Sequence, residues 1–177
     1  MAQGLLVVDV QNDVMDVCAH AEDVVARIVS LVDRARSAGT PVVWVRHHDD
    51  GLVEGSDGWR IVPELVPAAD EPIVDKQWGD SFADTDLVQR LTAQGITELV
   101  LCGAQTDYCI RSTLHGALVR GYPVTLVEDA HTTEDDEYRG EPVTADGLVD
   151  DLNRIASIAR WPGAASRVVP AAEVVLA

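Results

Sequence analysis

Lysine is almost absent from this chain of 177 residues. Thirty aspartates and glutamates face thirteen lysines and arginines, and Lys76 is the one lysine among them. The formal net charge of -17 creates a surface that repels the phosphate backbone and anionic lipid headgroups. We therefore expect neither nucleic acid nor a membrane among the partners of this protein. The excess of carboxylates also suggests a surface that keeps its solubility in high salt.

Cysteines are few, and long apolar runs are missing. The three cysteines, Cys18, Cys102 and Cys109, include no CxxC pair, which argues against a disulfide framework and a structural zinc site. No apolar run approaches the ~18 residues of a membrane-spanning helix. The N-terminus has no basic region and is typical of a strand rather than a signal peptide. These absences predict a protein of the reducing cytoplasm.

Short β-branched runs alternate with amphipathic stretches along the chain. Strands are predicted at residues 5–10, 41–46, 72–75, 98–103, 123–128 and 167–169. Apolar residues at helical spacing predict helices over residues 24–35, 87–91, 110–118 and 148–159. The acidic segments 49–59 and 131–144 are predicted to be loops. This alternation predicts one α/β domain over residues 1–177, with a mostly parallel sheet between layers of helices.

Three polar side chains occur where predicted strands end. Asp9 lies near the end of the first strand, Lys76 follows the third, and Cys109 follows the fourth, where a helix begins. Ligands of open α/β sheets bind beyond the carboxyl ends of the strands, where the strand order reverses. With Thr106 or Asp107 as N-cap, Cys109 would lie in a first helical turn, whose dipole and free N–H groups favour a thiolate.

These residues form a workable nucleophilic set. A carboxylate at the end of a buried strand needs a partner such as Lys76 or a role in proton transfer. A thiol, a carboxylate that accepts its proton and an ammonium that stabilises the charge together allow nucleophilic catalysis. Each residue also has a structural alternative, with Lys76 on the surface, Asp9 capping a turn and Cys109 as a core thiol. Spacing alone does not decide between these interpretations.

With those residues located, the sequence resembles the isochorismatase-like cysteine hydrolase family over residues 5–156. The resemblance is carried, in family order, by DVQND at 9–13, Lys76 with GDSF at 79–82, GAQTDYC at 103–109 and DAHTT at 129–133. It implies a three-layer α/β/α sandwich whose six-stranded parallel sheet has the order 3-2-1-4-5-6. It also implies an Asp9, Lys76, Cys109 triad, a cis peptide between Ala104 and Gln105, and an oxyanion hole from the N–H groups of Gln105 and Cys109.

Two departures separate the chain from subgroups of that family. True isochorismatases carry glycine at the nucleophile position and cleave a vinyl ether, so Cys109 favours another reaction. Nicotinamidases bind a metal through an Asp-x-His...His cluster, whereas His47, His48 and Asp49 follow the second strand here. Because adjacent histidines on an extended segment point to opposite faces, we expect no metal, and no other cofactor. The blocks at 55–59 and 103–109 are most similar to a branch that includes streptothricin-hydrolase-like amidases.

The resemblance predicts hydrolysis of a C–N bond in a small amide, cyclic amide or ureido substrate through a thioester. The candidates for the substrate pocket are Gln11, Trp59, Trp78, Phe82, Tyr108 and His131. Aromatic residues of α/β proteins often belong to the core, so we expect only about half of these aromatics to touch substrate. His131 has the alternative of a loop histidine that fixes the backbone.

Other functions stay open at this point. The chain could be an isochorismatase-type vinyl ether hydrolase, a non-catalytic protein whose reactive thiol senses oxidants, or a catalytically silent assembly subunit. Relatives form dimers or larger assemblies, so we expect a homo-oligomer, with the apolar run 174–176 as a candidate interface.

Overall fold

The computed structural model describes residues 2–177, and Met1 lies outside the described residues. In chain order the elements are β1 (Gln3–Val8), α1 (Asn12–Val17), α2 (Ala21–Ala38), β2 (Val42–His47), β3 (Ile73–Lys76), α3 (Leu87–Ala93), β4 (Glu98–Ala104), a π-helix (Thr106–Ile110), α4 (Arg111–Val119), β5 (Val124–Thr132), β6 (Asp136–Tyr138), β7 (Glu141–Val143), α5 (Ala145–Ile158), β8 (Arg160–Trp161), β9 (Ala164–Val169) and a 3-10 helix (Ala171–Glu173). None of the helices within residues 2–177 combines the length and apolar character needed to cross a bilayer.

The central sheet has the order β3-β2-β1-β4-β5-β9-β8. Its first six strands are parallel, so the predicted 3-2-1-4-5-6 order is confirmed, with β9 as the sixth strand. The two-residue strand β8 pairs antiparallel with β9 at the edge and was not predicted. Two residues are too few to show an alternating pattern, so this strand has no signal in the sequence.

Two apolar cores lie on opposite faces of the sheet. Leu5 and Val7 of β1 pack toward α1 and α2, whereas Leu6 and Val8 pack toward α3, α4 and α5. Neighbouring residues of a strand point to opposite faces, so a strand covered by helices on both faces must be apolar throughout. This arrangement is the expected three-layer α/β/α sandwich.

Three segments differ from the prediction. The segment 131–144 was predicted to be a loop, but β5 continues to Thr132 and the antiparallel hairpin of β6 and β7 follows. The hairpin is mostly exposed, so it shows no buried pattern in the sequence. The segment 12–17, for which no helix was predicted, forms the helix α1. In the C-terminal run predicted as an interface, Val174 and Leu176 pack on the core of the chain itself, and Val175 is exposed.

The carboxyl ends of four strands meet at one edge of the sheet. The last residues of β2 and β3, His47 and Lys76, are register partners, and the N–H of Asp9 donates to the Val45 carbonyl at 2.9 Å. Gly103 of β4 adopts a φ of 124°, and a Cβ there would lie 2.0 Å from the carbonyl oxygen of Val8. Glycine therefore allows β1 and β4 to approach closely beside Asp9.

Candidate active site

Asp9 and Lys76 form a buried ion pair. Asp9 follows β1 with a left-handed φ of 52°, a conformation that aspartate tolerates better than most residues. Nζ of Lys76 lies 2.6 Å from Oδ2 of Asp9, and both side chains are at most 2% exposed. Burial, the largest single influence, disfavours the ammonium, but the charges and hydrogen bonds of Asp9 and Cys109 together outweigh it and raise the pKa of Lys76. The site therefore contains a permanent positive charge.

The Asp9 carboxylate keeps free acceptor capacity. The contact with Nζ falls outside hydrogen-bond angles, and neither carboxylate oxygen has a hydrogen-bond donor among residues 2–177. A buried carboxylate without donors is costly unless it has a use for its lone pairs. It can accept a proton from a neighbouring group.

Cys109 is that neighbour. It lies in the π-helix that joins β4 to α4, and Nζ of Lys76 donates to its Sγ at 3.1 Å. A carboxylate oxygen of Asp9, Sγ of Cys109 and a ring nitrogen of His47 lie within 4.8 Å of one another. Asp9 and Lys76 are fully buried, whereas Cys109 is half-buried. Cys109 is therefore the residue of the predicted triad that is open to solvent.

Cys109 is a thiol in the resting site. Burial, followed by the negative charge of Asp9, raises its pKa to about 12, although Lys76 acts in the opposite direction. The prediction that a helix start favours the thiolate is therefore wrong for the resting protein. The thiol therefore needs a base in order to react.

The predicted caps of this helix are also wrong. Gln105 occupies the N-cap position without a side-chain hydrogen bond to the helix. The hydroxyl of Thr106 bonds to Nδ1 of His131 at 2.9 Å, and Asp107 accepts the hydroxyl of Thr133 at 2.6 Å. Both side chains attach the π-helix to β5 and its continuation instead of capping it.

The backbone before Cys109 has the form that the resemblance implied. The peptide bond between Ala104 and Gln105 is cis. The carbonyl oxygen of Gln105 accepts the N–H groups of Tyr108 and Ile110, at 3.3 and 3.0 Å. These two residues flank Cys109, so Gln105 is held against the turn that presents the sulfur.

His47 is the residue that the sequence interpretation missed, because it was considered only as a metal ligand. Its Nδ1 lies 3.3 Å from Nζ of Lys76, and its Nε2 lies 3.1 Å from Oδ2 of Asp49. Oδ1 of Asp49 accepts the N–H groups of Gly51 and Leu52 at 2.8 Å each. The bond from Leu52, then those from His47 and Gly51, lower the pKa of Asp49. His47 thus links Lys76 to an anchored carboxylate.

The electrostatics of this cluster disfavour a metal ion. Asp9, His47 and Cys109 could each offer one ligand atom, but these atoms surround the ammonium of Lys76. A metal would have to displace a positive charge that is already present. His48 is not part of this cluster, and it lines a cavity of about 230 Å³ together with Lys76 and Trp78.

Three of the predicted pocket residues remain accessible. Trp78 and Tyr108 are 59% and 58% exposed. In the chain, Trp78 lies close after Lys76, and Tyr108 directly precedes Cys109. Trp59 is half-buried, with the guanidinium of Arg46 3.8 Å from its ring centre. A larger cavity of about 970 Å³ lies between α1 and α2, and its lining contains no residue of the triad. Chemistry, rather than cavity size, therefore identifies the site.

The other three pocket predictions need correction, beginning with Gln11. Its side chain is fully buried, and its Nε2 donates to the carbonyls of His47 and Trp59 at 2.9 and 2.7 Å. Its Oε1 accepts the N–H of His47 at 2.7 Å. The amide has no group left for substrate, and it fixes the backbone of His47 instead.

Phe82 and His131 are also unavailable. Phe82 is a core residue stacked on Tyr122 with ring centres 5.9 Å apart. His131 is 2% exposed, and its two ring nitrogens contact Thr106 and Asn153 at 2.9 and 3.0 Å. His131 is thus a strand residue that links the π-helix to α5 through two side chains, and not the loop histidine fixing backbone that was the alternative.

Comparisons with known proteins identify relatives of this chain. Residues 3–141 match the family model for the isochorismatase domain. A streptothricin hydrolase from Streptomyces noursei is 39% identical over 139 residues, which are 75% of this chain and 55% of that protein. A second streptothricin hydrolase from Streptomyces noursei is 38% identical, with 50% of its length covered, so the chain spans about half the length of these relatives.

Solved structures share the fold over almost the whole chain. A putative isochorismatase hydrolase from Oleispira antarctica has a TM-score of 0.89 and 30% identity, covering 97% of this chain and 95% of that one. N-carbamoylsarcosine amidase from Thermoplasma acidophilum has a TM-score of 0.76 and 27% identity, covering 98% of this chain and 99% of that one.

Proposed function

This chain belongs to the isochorismatase family, and we propose that it is a cysteine hydrolase that cleaves a C–N bond of a small amide, cyclic amide or ureido compound. The observation that carries the proposal is the position of one buried ammonium. Nζ of Lys76 contacts both the carboxylate of Asp9 and the sulfur of Cys109, at 2.6 and 3.1 Å. A proton can therefore pass from sulfur to carboxylate while the negative charge stays beside the same cation.

The first half of the reaction forms a thioester. Asp9 accepts the proton of Cys109, and Sγ attacks the substrate carbonyl carbon. The N–H groups of Gln105 and Cys109 stabilise the oxyanion. Asp9 then returns the proton to the leaving nitrogen as the C–N bond breaks.

The second half releases the acid. The same carboxylate takes a proton from water, and the resulting hydroxide attacks the thioester carbonyl. The C–S bond breaks, and Cys109 regains its proton from Asp9. This cycle suits the pKa of about 12 for Cys109, because the thiolate forms as Asp9 accepts the proton and need not persist in the resting site. An oxidant sensor would instead need a thiolate at neutral pH.

The names of two relatives support a C–N bond as the target. One is a streptothricin hydrolase and the other is an N-carbamoylsarcosine amidase. Trp59, Trp78 and Tyr108 are the side chains that we propose for contact with the rest of the substrate.

The test is hydrolysis of nicotinamide, ureido acids, lactams, maleamate and streptothricin, detected as released ammonia or amine or, where a ring opens, as the mass of the product. Isochorismate, followed by product mass, is the vinyl ether alternative. We expect at least one C–N substrate to be hydrolysed and Cys109→Ala to remove that activity while the fold stays intact by circular dichroism. Cys102→Ala is the matched control, because Cys102 is a core thiol of β4 outside the site. This variant should hydrolyse the substrate at the wild-type rate. Substantial amide hydrolysis by Cys109→Ala would refute the mechanism.

A further inference from the structure

We infer that His47 is a positioning residue that holds the ammonium of Lys76 between Asp9 and Cys109, and that Asp49 in turn fixes the ring of His47. This inference rests on the proposed function of the site. It assigns a role to a residue outside the predicted triad.

The geometry around Nζ carries the inference. An ammonium has three N–H donors and no acceptor. Nζ of Lys76 has three partners, Oδ2 of Asp9 at 2.6 Å, Sγ of Cys109 at 3.1 Å and Nδ1 of His47 at 3.3 Å. Two N–H groups point to Sγ and to Nδ1, so Nδ1 must present a lone pair, whereas Asp9 holds the ammonium through its charge.

Asp49 selects the tautomer that this contact needs. With Nδ1 unprotonated, the proton of the neutral ring is on Nε2, which donates to Oδ2 of Asp49 at 3.1 Å. The N–H groups of Gly51 and Leu52 hold the other oxygen of Asp49. A carboxylate anchored in this way accepts a hydrogen bond, so it favours the proton on Nε2.

The backbone of His47 is fixed as firmly as its ring. The side chain of Gln11 bonds to both the N–H and the carbonyl of His47, at 2.7 and 2.9 Å. The same amide donates to the carbonyl of Trp59 at 2.7 Å. His47 is therefore held from the main chain and from both ring nitrogens.

This anchor matters because the negative charge moves during the proposed reaction. Asp9 has the shorter contact with Nζ, so a lysine held by two partners would be drawn toward Asp9 and away from Cys109. The third contact, to His47, keeps Nζ within reach of sulfur when the thiolate forms. Loss of this contact should lower the stability of the thiolate and slow its formation.

The test measures the sulfur directly. We would compare His47→Leu, which removes the acceptor, with His47→Asn, whose side-chain oxygen can replace Nδ1. The readouts are the rate constant for iodoacetamide alkylation of Cys109 at fixed pH, followed by peptide mass spectrometry, and kcat and KM on the hydrolysed substrate. We expect His47→Leu to reduce alkylation and kcat roughly tenfold, as for a lost hydrogen bond to a charged group, with KM nearly unchanged. His47→Asn should recover most of both rates.

Two further variants complete the design. Asp49→Asn changes an exposed side chain and should reduce both rates without loss of the fold. The amide of asparagine can donate a hydrogen bond to Nε2, and this favours the tautomer with the proton on Nδ1. His20→Leu is the matched control, because it removes another His–Asp contact of 3.2 Å on the exposed surface, and it should behave as wild type.

Wild-type alkylation and kcat in His47→Leu would overturn the inference, and so would equal losses in His47→Leu and His47→Asn. Alkylation needs no substrate, so the two proposals can fail separately. Slowed alkylation without any C–N hydrolysis would support the role of His47 and refute the proposed function. C–N hydrolysis at the wild-type rate by His47→Leu would support the proposed function and refute the role of His47.

Discussion

Position 76 needs an ammonium because its three partners converge on one atom. The side chain of Lys76 is fully buried, and Asp9, Cys109 and His47 lie within 3.3 Å of Nζ. A lysine presents a compact point charge, whereas the guanidinium of arginine is a wide planar fork. The one lysine of this arginine-rich chain thus stands where arginine cannot reproduce the geometry.

We predict that Lys76→Arg reduces kcat by roughly a hundredfold or more, the size of effect seen when a group that stabilises developing charge is removed. The larger head group would displace Asp9 or Cys109 from contact. Steady-state kinetics give the effect, and thermal unfolding shows whether the variant is folded. Arg154→Lys, in an exposed pair with Asp151, is the control and should be unchanged. Near-wild-type turnover in a folded Lys76→Arg protein would show that the shape of the cation is irrelevant.

At the scale of residues, the members of the cluster could be located in the sequence where a strand end and a reactive side chain coincide. Asp9, Lys76 and Cys109 could be located because polar residues at the ends of apolar strands are unusual. His47 could also have been found, since the expected order places the second strand between the first and the third. Its end must therefore lie between Asp9 and Lys76. Because His47 stands beside His48 and Asp49 in the sequence, it was interpreted only as a candidate metal ligand.

At the scale of elements, a hydrogen-bond chain attaches the π-helix to the layers around it. The hydroxyl of Thr106 donates to Nδ1 of His131, and Nε2 of His131 donates to Asn153. The side chain of Asn153, in α5, donates to the carbonyl of Glu128 at 3.0 Å. The ring must be neutral to accept from Thr106, so the segment that carries Cys109 depends on the protonation state of a buried histidine.

This dependence predicts a loss of stability in mild acid. Burial lowers the pKa of His131 from its ordinary value of 6.5. Below pH 6.5 the unfolded chain therefore binds a proton more readily than the folded protein does. The stabilisation is complete above pH 6.5 and is lost as the pH falls toward the lowered pKa. Urea unfolding between pH 7.5 and 5.5 should show this slope.

His131→Asn should be less stable at pH 7.5 and should lose less stability on acidification, because the titrating ring is gone. His20→Asn, at an exposed histidine, should keep the wild-type slope. Equal slopes for wild type and His131→Asn would show that His131 does not control the acid sensitivity.

Elements with a buried face were predictable, and exposed ones were not. The apolar residues of α2 recur at helical spacing because one face of the helix packs on the sheet. The hairpin of β6 and β7 is mostly exposed, so the acidic segment that forms it resembles a loop. The π-helix was predicted as the start of an α-helix, because the residues on either side give no signal for an extra residue in the turn.

At the scale of the whole molecule, charge is the dominant feature outside the site. Some acidic side chains have cationic partners, as in the Arg27–Asp129 and Arg90–Asp86 pairs. Even complete pairing of all cations would leave a charge of -17. Compaction brings these like charges together, so their mutual repulsion opposes folding. The repulsion should weaken when added salt shortens the Debye length from ~10 Å at 0.1 M to ~3 Å at 1 M.

We therefore predict that the melting temperature rises with KCl from 0.05 to 2 M. If screening adds about 2 kcal/mol of stability, the rise for a chain of this length would be roughly 4–8 °C. Differential scanning calorimetry at fixed pH measures it. A Glu137→Gln, Glu141→Gln variant reduces charge on the exposed hairpin and should show a higher melting temperature at low salt and a smaller response to KCl. A melting temperature independent of KCl would mean that the acidic surface does not limit folding, and the expected tolerance of high salt would then lose its physical basis.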